Sequence, residues 1–210
     1  RNITNITCQD PFETGLIGAI IKDKNPNIEL ELQIHTDIGS KYFQNFNILN
    51  RIRTRLSQFT LIRADHIRVV SNRIKDYLVN LINSSKIEIR PITLDIDKIK
   101  NTPITVDLHK QYPQYERIVL MASRLEKEKN IDMAIDAFAE VLKMRQNVGL
   151  VIVGDGSQKK LLEKKAKDLG IEGSVVFLGW QNDVITYYKT CDIFLSTSWY
   201  EGYGLSLVEA

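Results

Sequence analysis

The sequence predicts an α/β protein built on parallel sheets, and three observations carry that expectation. Short β-rich runs alternate with helix-length amphipathic stretches from end to end, the pattern of repeated strand–helix–strand units. Runs such as Ile118–Ala122 are continuously apolar, as strands covered on both faces are. Glycine turns follow two further runs, at Gly154-Asp155-Gly156 and Gly179-Trp180. The 210 residues suffice for one or two such domains.

In the first half the expected strands are Asn2–Cys8, Leu30–Ile34, Ile67–Val70 and Lys86–Ile89. Helices are expected near Thr14–Lys22, Phe43–Leu61 and Asn72–Ile82, the last with Ser71 as its cap and Ile74, Leu78 and Leu81 on one face. Residues 97–116 lose both periodicities and carry Pro103 and Pro113, as interdomain connections do. The organisation read from this is a first domain over residues 1–107, a linker over 108–117 and a second domain over 118–210.

The second half opens on the strand Ile118–Ala122. Asn130 is placed to cap a helix whose inner face carries Ile131, Ala134, Ile135, Phe138 and Leu142. A strand over Gly149–Val153 and a helix over Ser157–Leu169 follow, the helix closed by Gly170 in the left-handed conformation. Strand Val175–Leu178, a short helix Val184–Lys189 and strand Asp192–Leu195 complete the order.

Composition removes several function classes. A net charge of +2, with no basic run interleaved with aromatics, argues against nucleic acid. Cys8 and Cys191 form neither a disulfide framework nor a metal-ligand spacing, and His35, His66 and His109 are scattered, so no metal site is expected. No apolar stretch reaches the ~20 residues of a membrane span. The Asn2 and Asn5 sequons read as accidents of an Asn- and Ile-rich chain. The start at Arg1 and the stop at Ala210, inside the first turn of a helix, read as a fragment with both domains incomplete. On its own such a chain is expected to be inactive and poorly soluble.

Two segments could carry chemistry. Ser123–Asn130 follows a buried strand and precedes a helix, where ligands of open parallel sheets bind. Within it Arg124 offers a planar fork for phosphate and Lys129 a mobile point charge; the competing reading is a solvated loop in which Glu126 and Glu128 pair locally. The second segment is Trp199–Ala210, where Gly202 and Gly204 let backbone approach a ligand and a helix starting near Leu205 turns free N–H groups toward the loop. Its carboxylates, Glu201 and Glu209, stand eight positions apart. Here the competing reading is a glycine turn before a helix, with two surface glutamates.

Glu201 to Glu209, with the Glu-Gly-Tyr-Gly-Leu core between them, resembles the E-x7-E signature of retaining family-4 glycosyltransferases of the GT-B fold. Ser123–Lys129 resembles that family's G-R-L-x-x-x-K clamp, with serine for the first glycine, and the runs ending at Gly154 and Trp180 are similar to its next two strand-end motifs. Over residues 1–107 the likeness is looser. Gln33–Asp37 resembles a His-Asp motif, Ala64–Ser71 resembles an A-D-x-I-x-x-V-S strand and cap, and Pro91–Asp95 stands where many members have Pro-Asn-Gly-Val-Asp.

The resemblance implies two Rossmann-like parallel-sheet domains and transfer of a hexose-type sugar with retention. The donor would be a UDP-, GDP- or ADP-sugar, and the acceptor a glycan or a lipid-linked molecule. It implies that Arg124 and Lys129 hold the diphosphate, that Glu209 binds the ribose, and that Glu201 contacts the donor sugar. Gly202, Tyr203, Gly204 and Leu205 would bind sugar and phosphate through their amides, Gly154 and Trp180 would border the donor, and His35 would reach it across the interdomain cleft. Asp37 and, more weakly, Asp10 would lie on the acceptor side, though Asp10-Pro11 also reads as a helix cap. No metal and no further cofactor is implied. A cytoplasmic location follows, at the inner membrane face if the acceptor is a lipid.

The lysines of Ser157–Leu169 raise peripheral membrane contact, but Glu163 and Asp168 among them favour a solvated face. A sugar-nucleotide epimerase on the same fold is the alternative, as is an inactive nucleotide-sugar-binding module. A dinucleotide oxidoreductase lacks its third glycine after Gly156.

Overall fold

A computed structural model describes residues 3–210. Contacts group the chain into two compact units, one running through Thr93 and including Tyr200–Tyr203, the other comprising Leu94–Trp199 and Gly204–Ala210. Each holds a four-stranded, wholly parallel sheet.

In the first unit the strands are β1 (Asn5–Cys8), β2 (Glu29–Ile34), β3 (His66–Val69) and β4 (Ile87–Ile89), paired in chain order. The helices are α1 (Glu13–Lys24), α2 (Lys41–Phe46), α3 (Ile48–Arg63) and α4 (Asn72–Leu78). Leu30, Leu32 and Ile34 of β2 and Ile67 and Val69 of β3 are buried, and each such side chain contributes roughly 1.5–3 kcal/mol. Asn2, expected in the first strand, lies outside the described residues.

The single helix expected over Phe43–Leu61 is two. Asn47 is extended (φ −158°, ψ 173°) and its side chain accepts the Asn50 amide, capping α3. A cap and a helix interior are competing uses of one residue, and here the cap wins. Ser71 caps α4 by accepting from the Ile74 amide, but the helix ends at Leu78, so Leu81 lies beyond it and is exposed.

The second unit contains α5 (Ile96–Asn101), α6 (Leu108–Gln111), β5 (Arg117–Ala122), α7 (Ile131–Met144), β6 (Val148–Val153), α8 (Lys159–Asp168), β7 (Val175–Gly179), α9 (Ile185–Tyr188), β8 (Ile193–Phe194) and α10 (Leu205–Glu209). Its sheet runs β7-β6-β5-β8. The inner face expected for α7 is buried at Ile131, Ala134, Ile135 and Phe138, and Gly170 is left-handed (φ 68°).

The unit boundary falls earlier than the linker expected at 108–117. Residues 94–117 hold two short helices capped by Asp95 and Asp107, and they pack with the second unit. Leu108 and Tyr115 are buried there, the Tyr115 hydroxyl donates to Gly173 O at 2.6 Å, and buried Thr186 accepts the Thr105 and Val106 amides. Pro103 breaks periodicity without breaking packing.

Both sheets are pinned by an aspartate just before a strand. Asp65, ahead of β3, accepts the Leu30 amide of β2 at 2.8 Å and pairs with Lys22, while its own amide donates to Leu30 O at 2.9 Å. Asp192, ahead of β8, accepts the Ile118 amide of β5 at 2.8 Å and Arg117 Nη1 at 2.7 Å, and its amide donates to Ile118 O at 3.0 Å. Burial alone would raise the Asp65 carboxyl, but Lys22 and the Leu30 amide outweigh it and hold it below the usual carboxylate range. A depressed folded pKa gives stability that is present above the unfolded value and lost as pH falls through the folded one. Asp65→Asn is therefore expected to cost about 1–2 kcal/mol at neutral pH, discounted for partial exposure. Urea melts should show that the difference from wild type shrinks toward about pH 3.

Candidate functional site

In the second unit β5 is the strand at which chain progression reverses. The chain steps outward from β5 to β6 and β7, then returns to place β8 on the other side of β5. The crevice beyond the carboxyl ends of two such strands is where open α/β sheets hold ligands. Strand β5 leads into Ser123–Asn130, and β8 leads into the segment ending at Trp199. The Ser123–Asn130 loop and the chain from β8 up to Trp199 thus flank one switch point.

They are bonded to each other. The Thr197 hydroxyl lies 3.0 Å from Lys129 O and 2.9 Å from Asn130 O, and the Trp199 amide donates to Glu128 O at 2.9 Å. On its other flank the first loop is stapled to the turn after β6. The Leu125 amide donates to Asp155 O at 2.8 Å, and the Glu126 carboxylate accepts both the Ser157 amide (2.9 Å) and hydroxyl (2.7 Å). Those two bonds, amide first, hold the Glu126 carboxyl below its ordinary range. Glu126 therefore anchors the loop, a use that local pairing within the loop did not foresee.

Gly154 makes the close packing feasible. Its φ is +133°, and a Cβ there would lie 1.9 Å from Ser123 O. Only glycine accepts both conditions. Arg124 emerges exposed from the loop and pairs with Glu128 at 3.1 Å. Asn130 occupies the cap position of α7 in the left-handed conformation (φ 51°), but its side chain makes no cap bond; the amide nitrogen lies 3.5 Å from Met133 Sδ instead. The expectation of a capping Asn130 is corrected on that point, because a left-handed backbone points the side chain away from the first-turn amides.

Glu209 lies on α10, a single turn entered through left-handed Gly204 (φ 77°) and starting at Leu205. Its carboxylate accepts the Tyr188 hydroxyl at 3.3 Å. Tyr188 packs edge-on to Phe194 of β8 at 5.3 Å, and burial, then the Glu209 charge, push its hydroxyl well above the ordinary tyrosine range. Tyr188 thus stays protonated and holds Glu209 as a donor. Trp180, after β7, is exposed, its indole N–H donating to Asn182 at 3.2 Å.

The first unit gathers a second set. Asp37 is buried and takes an ion pair from Arg73 Nε at 3.0 Å, and the same guanidinium donates to the Glu201 carbonyl. A Cβ on Gly202 would meet His35 O at 1.6 Å, so the Tyr200–Tyr203 segment lies flat against the end of β2. Tyr200 packs edge-on to Phe43 (5.4 Å) and Phe46 (5.9 Å), and Tyr203 packs on the same core. His35, Asp37, Glu201, Gly202 and Tyr203 are therefore neighbours. Burial, then the Arg68 charge, hold His35 below its usual pKa. Asp10 stands apart: it accepts the Phe12 amide and the Thr14 hydroxyl, both at 2.7 Å, and so secures the turn into α1. Sequence reading missed Arg73, Thr197 and Tyr188, whereas Glu128, read as pairing within its loop, does pair there with Arg124. Tyr188 and Thr197 flank the β8 strand, a position that could have flagged them; nothing local marks Arg73.

The residues matched by a known family fall mostly in the second unit. Residues 108–210 match glycosyl transferases group 1. An alpha-monoglucosyldiacylglycerol synthase of Streptococcus pneumoniae is 40% identical over 97 residues, covering 45% of this chain and 22% of the relative. The enzyme of that name from Acholeplasma laidlawii is 25% identical over 216 residues, covering 95% of this chain and 54% of the relative. The chain thus spans about half or less of the length of these relatives. Among solved structures, HepE of Anabaena in complex with UDP and glucose superposes with a TM-score of 0.78 at 24% identity, covering 98% of this chain and 56% of that one. The fold, two Rossmann-like parallel sheets, is that of the GT-B glycosyltransferases.

Gly154→Ala is expected to cost about 2–4 kcal/mol, from a left-handed φ and a carbonyl clash together. Gly173→Ala, where an added Cβ meets nothing within 4 Å, should change stability by less than about 0.5 kcal/mol. Paired thermal melts check the contrast.

Proposed function

We propose that the chain carries the donor-binding machinery of a retaining, metal-independent glycosyltransferase that uses a nucleotide-sugar. The observation that carries the reading is the switch point at β5 and β8, which brings the Arg124–Lys129 loop and the chain leading into Glu201–Glu209 together. The match of residues 108–210 to glycosyl transferases group 1 supports the reaction class.

Arg124 and Lys129 neutralise the diphosphate, and Glu209, presented by Tyr188, takes the ribose hydroxyls. Trp180 and Gly154 border the nucleotide. The Gly202–Leu205 amides serve sugar and phosphate, and Glu201 and His35 contact the transferred sugar. In the reaction the anomeric carbon–oxygen bond to the diphosphate breaks. An acceptor hydroxyl oxygen bonds to the same face, and its proton leaves with the diphosphate. Negative charge grows on the departing oxygen, so two cations carried on a braced loop stabilise the transition state more than the ground state. They supply the charge that a divalent metal supplies elsewhere, which is the basis for metal independence. HepE binds UDP and glucose, and a UDP-hexose is accordingly the first donor to try. The two synthase relatives direct the acceptor test to a diacylglycerol glycolipid as well as to glycans.

Calorimetric titration of the full chain with UDP, GDP and ADP, each with and without a hexose, tests the donor site. One nucleotide should bind, and Arg124→Ala should weaken it by roughly ten- to hundredfold, the scale of one charge-assisted bond. Glu209→Gln should weaken the same nucleotide. Binding of none, or binding indifferent to both substitutions, ends the proposal. In a transfer assay of the whole protein that carries this chain, with product analysis, EDTA should leave the rate unchanged and the new bond should keep the donor's anomeric configuration. Strict manganese dependence, or an epimerised nucleotide-sugar as product, contradicts it.

A further inference from the structure

The Ser123–Asn130 loop carries two acidic side chains, and it uses them differently. Glu126 is committed to the fold: its carboxylate accepts the Ser157 amide and hydroxyl and ties the loop to the turn after β6. Glu128 supports the loop through its backbone, whose carbonyl accepts the Trp199 amide. Its carboxylate turns instead to Arg124, whose Nη2 donates to Oε1 at 3.1 Å. The Arg124 side chain is 68% exposed and that of Glu128 only 18%. The pair thus joins a guanidinium that solvent can reach to a carboxylate that solvent barely reaches.

The charge of Glu128 is not needed to brace the loop. The braces run through the carbonyls of Glu128, Lys129 and Asn130 and through the side chain of Glu126. What the charge does is occupy Arg124. A carboxylate and a phosphate present a guanidinium fork with the same kind of paired oxygens. The loop therefore supplies its own anion to a residue placed to receive one. Drawing Arg124 away breaks the pair and leaves a carboxylate with little access to water uncompensated. Both effects lower the affinity of Arg124 for an incoming anion.

We infer, on the basis of the donor site proposed above, that Glu128 is a built-in competitor of the donor's diphosphate. It acts through Arg124 and sets how tightly nucleotide is held. The nucleoside diphosphate left after transfer carries more negative charge than the donor, so the clamp cations hold it harder. Glu128 gives Arg124 a partner to return to, and release becomes an exchange of partners. Product release, rather than chemistry, limits many enzymes, and a competitor inside the loop favours that step at the expense of affinity.

The full chain is titrated by calorimetry with UDP, GDP and ADP, and the nucleotide that binds is carried through the variants. Glu128→Gln keeps the shape and loses the charge. It should bind roughly three- to tenfold tighter, the worth of a partly exposed ion pair, and stopped-flow displacement should show slower dissociation. Glu128→Asp, whose shorter arm draws the carboxylate back from Arg124, should tighten binding less. In the Arg124→Ala background Glu128→Gln should change affinity by less than about twofold. A side chain that merely braced the loop would weaken binding when altered, with or without Arg124. Melting curves of both Glu128 variants check that they fold. Binding by the Glu128 variants equal to or weaker than wild type, or a gain of the same size without Arg124, overturns the inference and leaves the donor site standing. Binding of no nucleotide by wild type overturns the donor site, and the inference with it.

Discussion

The second unit depends on a two-residue strand. β8 pairs with β5 through only Val119↔Ile193 and Leu120↔Phe194, too short a ladder to fix a register by side-chain alternation alone. Asp192 supplies the missing constraint. With one carboxylate it takes the Ile118 amide of β5 and the Arg117 guanidinium, and the Leu195 amide closes the far end on Leu120 O at 2.8 Å. Move β8 by one residue and Thr197 no longer reaches the carbonyls of Lys129 and Asn130. The clamp loop would then lose one of its two walls.

The same device recurs in the first unit, where Asp65 fixes β3 against β2 and so sets where His35 and Asp37 leave the sheet. In both places a partly buried carboxylate accepts a strand-end amide and a cation, a pairing strong enough to hold a short parallel edge. Arg73 works from the helix end in a related way. Its pairing with buried Asp37 orients the guanidinium, which then holds the Glu201 carbonyl. Removing Arg73 would leave a buried carboxylate uncompensated as well as freeing the glycine loop, so its role is one of positioning.

What could be read in the sequence tracks the range of the interactions that decide each feature. Strand order and the buried faces of β2, β5, β6 and α7 are legible because apolar runs of that length have few other places to go. Gly170 is legible because a helix end is a local event. The break at Asn47 is not, because helix and cap demands compete within one turn and the tertiary position of Phe43 decides between them. The segment 94–117 looked like a connection because its anchors, Gly173 and Thr186, lie 58 and 81 residues downstream of the groups they bind. Arg124, Lys129, Glu201 and Glu209 stand out as a pattern, whereas Arg73 and Tyr188 become visible only when the fold brings them to Glu201 and Glu209.

The electrostatics of the clamp loop bear on how readily an anion is taken up. Arg124 is exposed yet paired with Glu128, whose carboxylate is itself largely buried. Under the proposed function a diphosphate at this turn would compete with Glu128 for the guanidinium, and the carboxylate left behind could not simply be solvated in place. The loop backbone need not move for the exchange, since Trp199 holds Glu128 O, Thr197 holds Lys129 O and Asn130 O, and Ser157 holds Glu126. Only the Arg124 side chain has to swing. In the reaction proposed, a braced backbone with one mobile cation would suit a charge that appears late, because the donors would stay in place while the arginine followed the departing group.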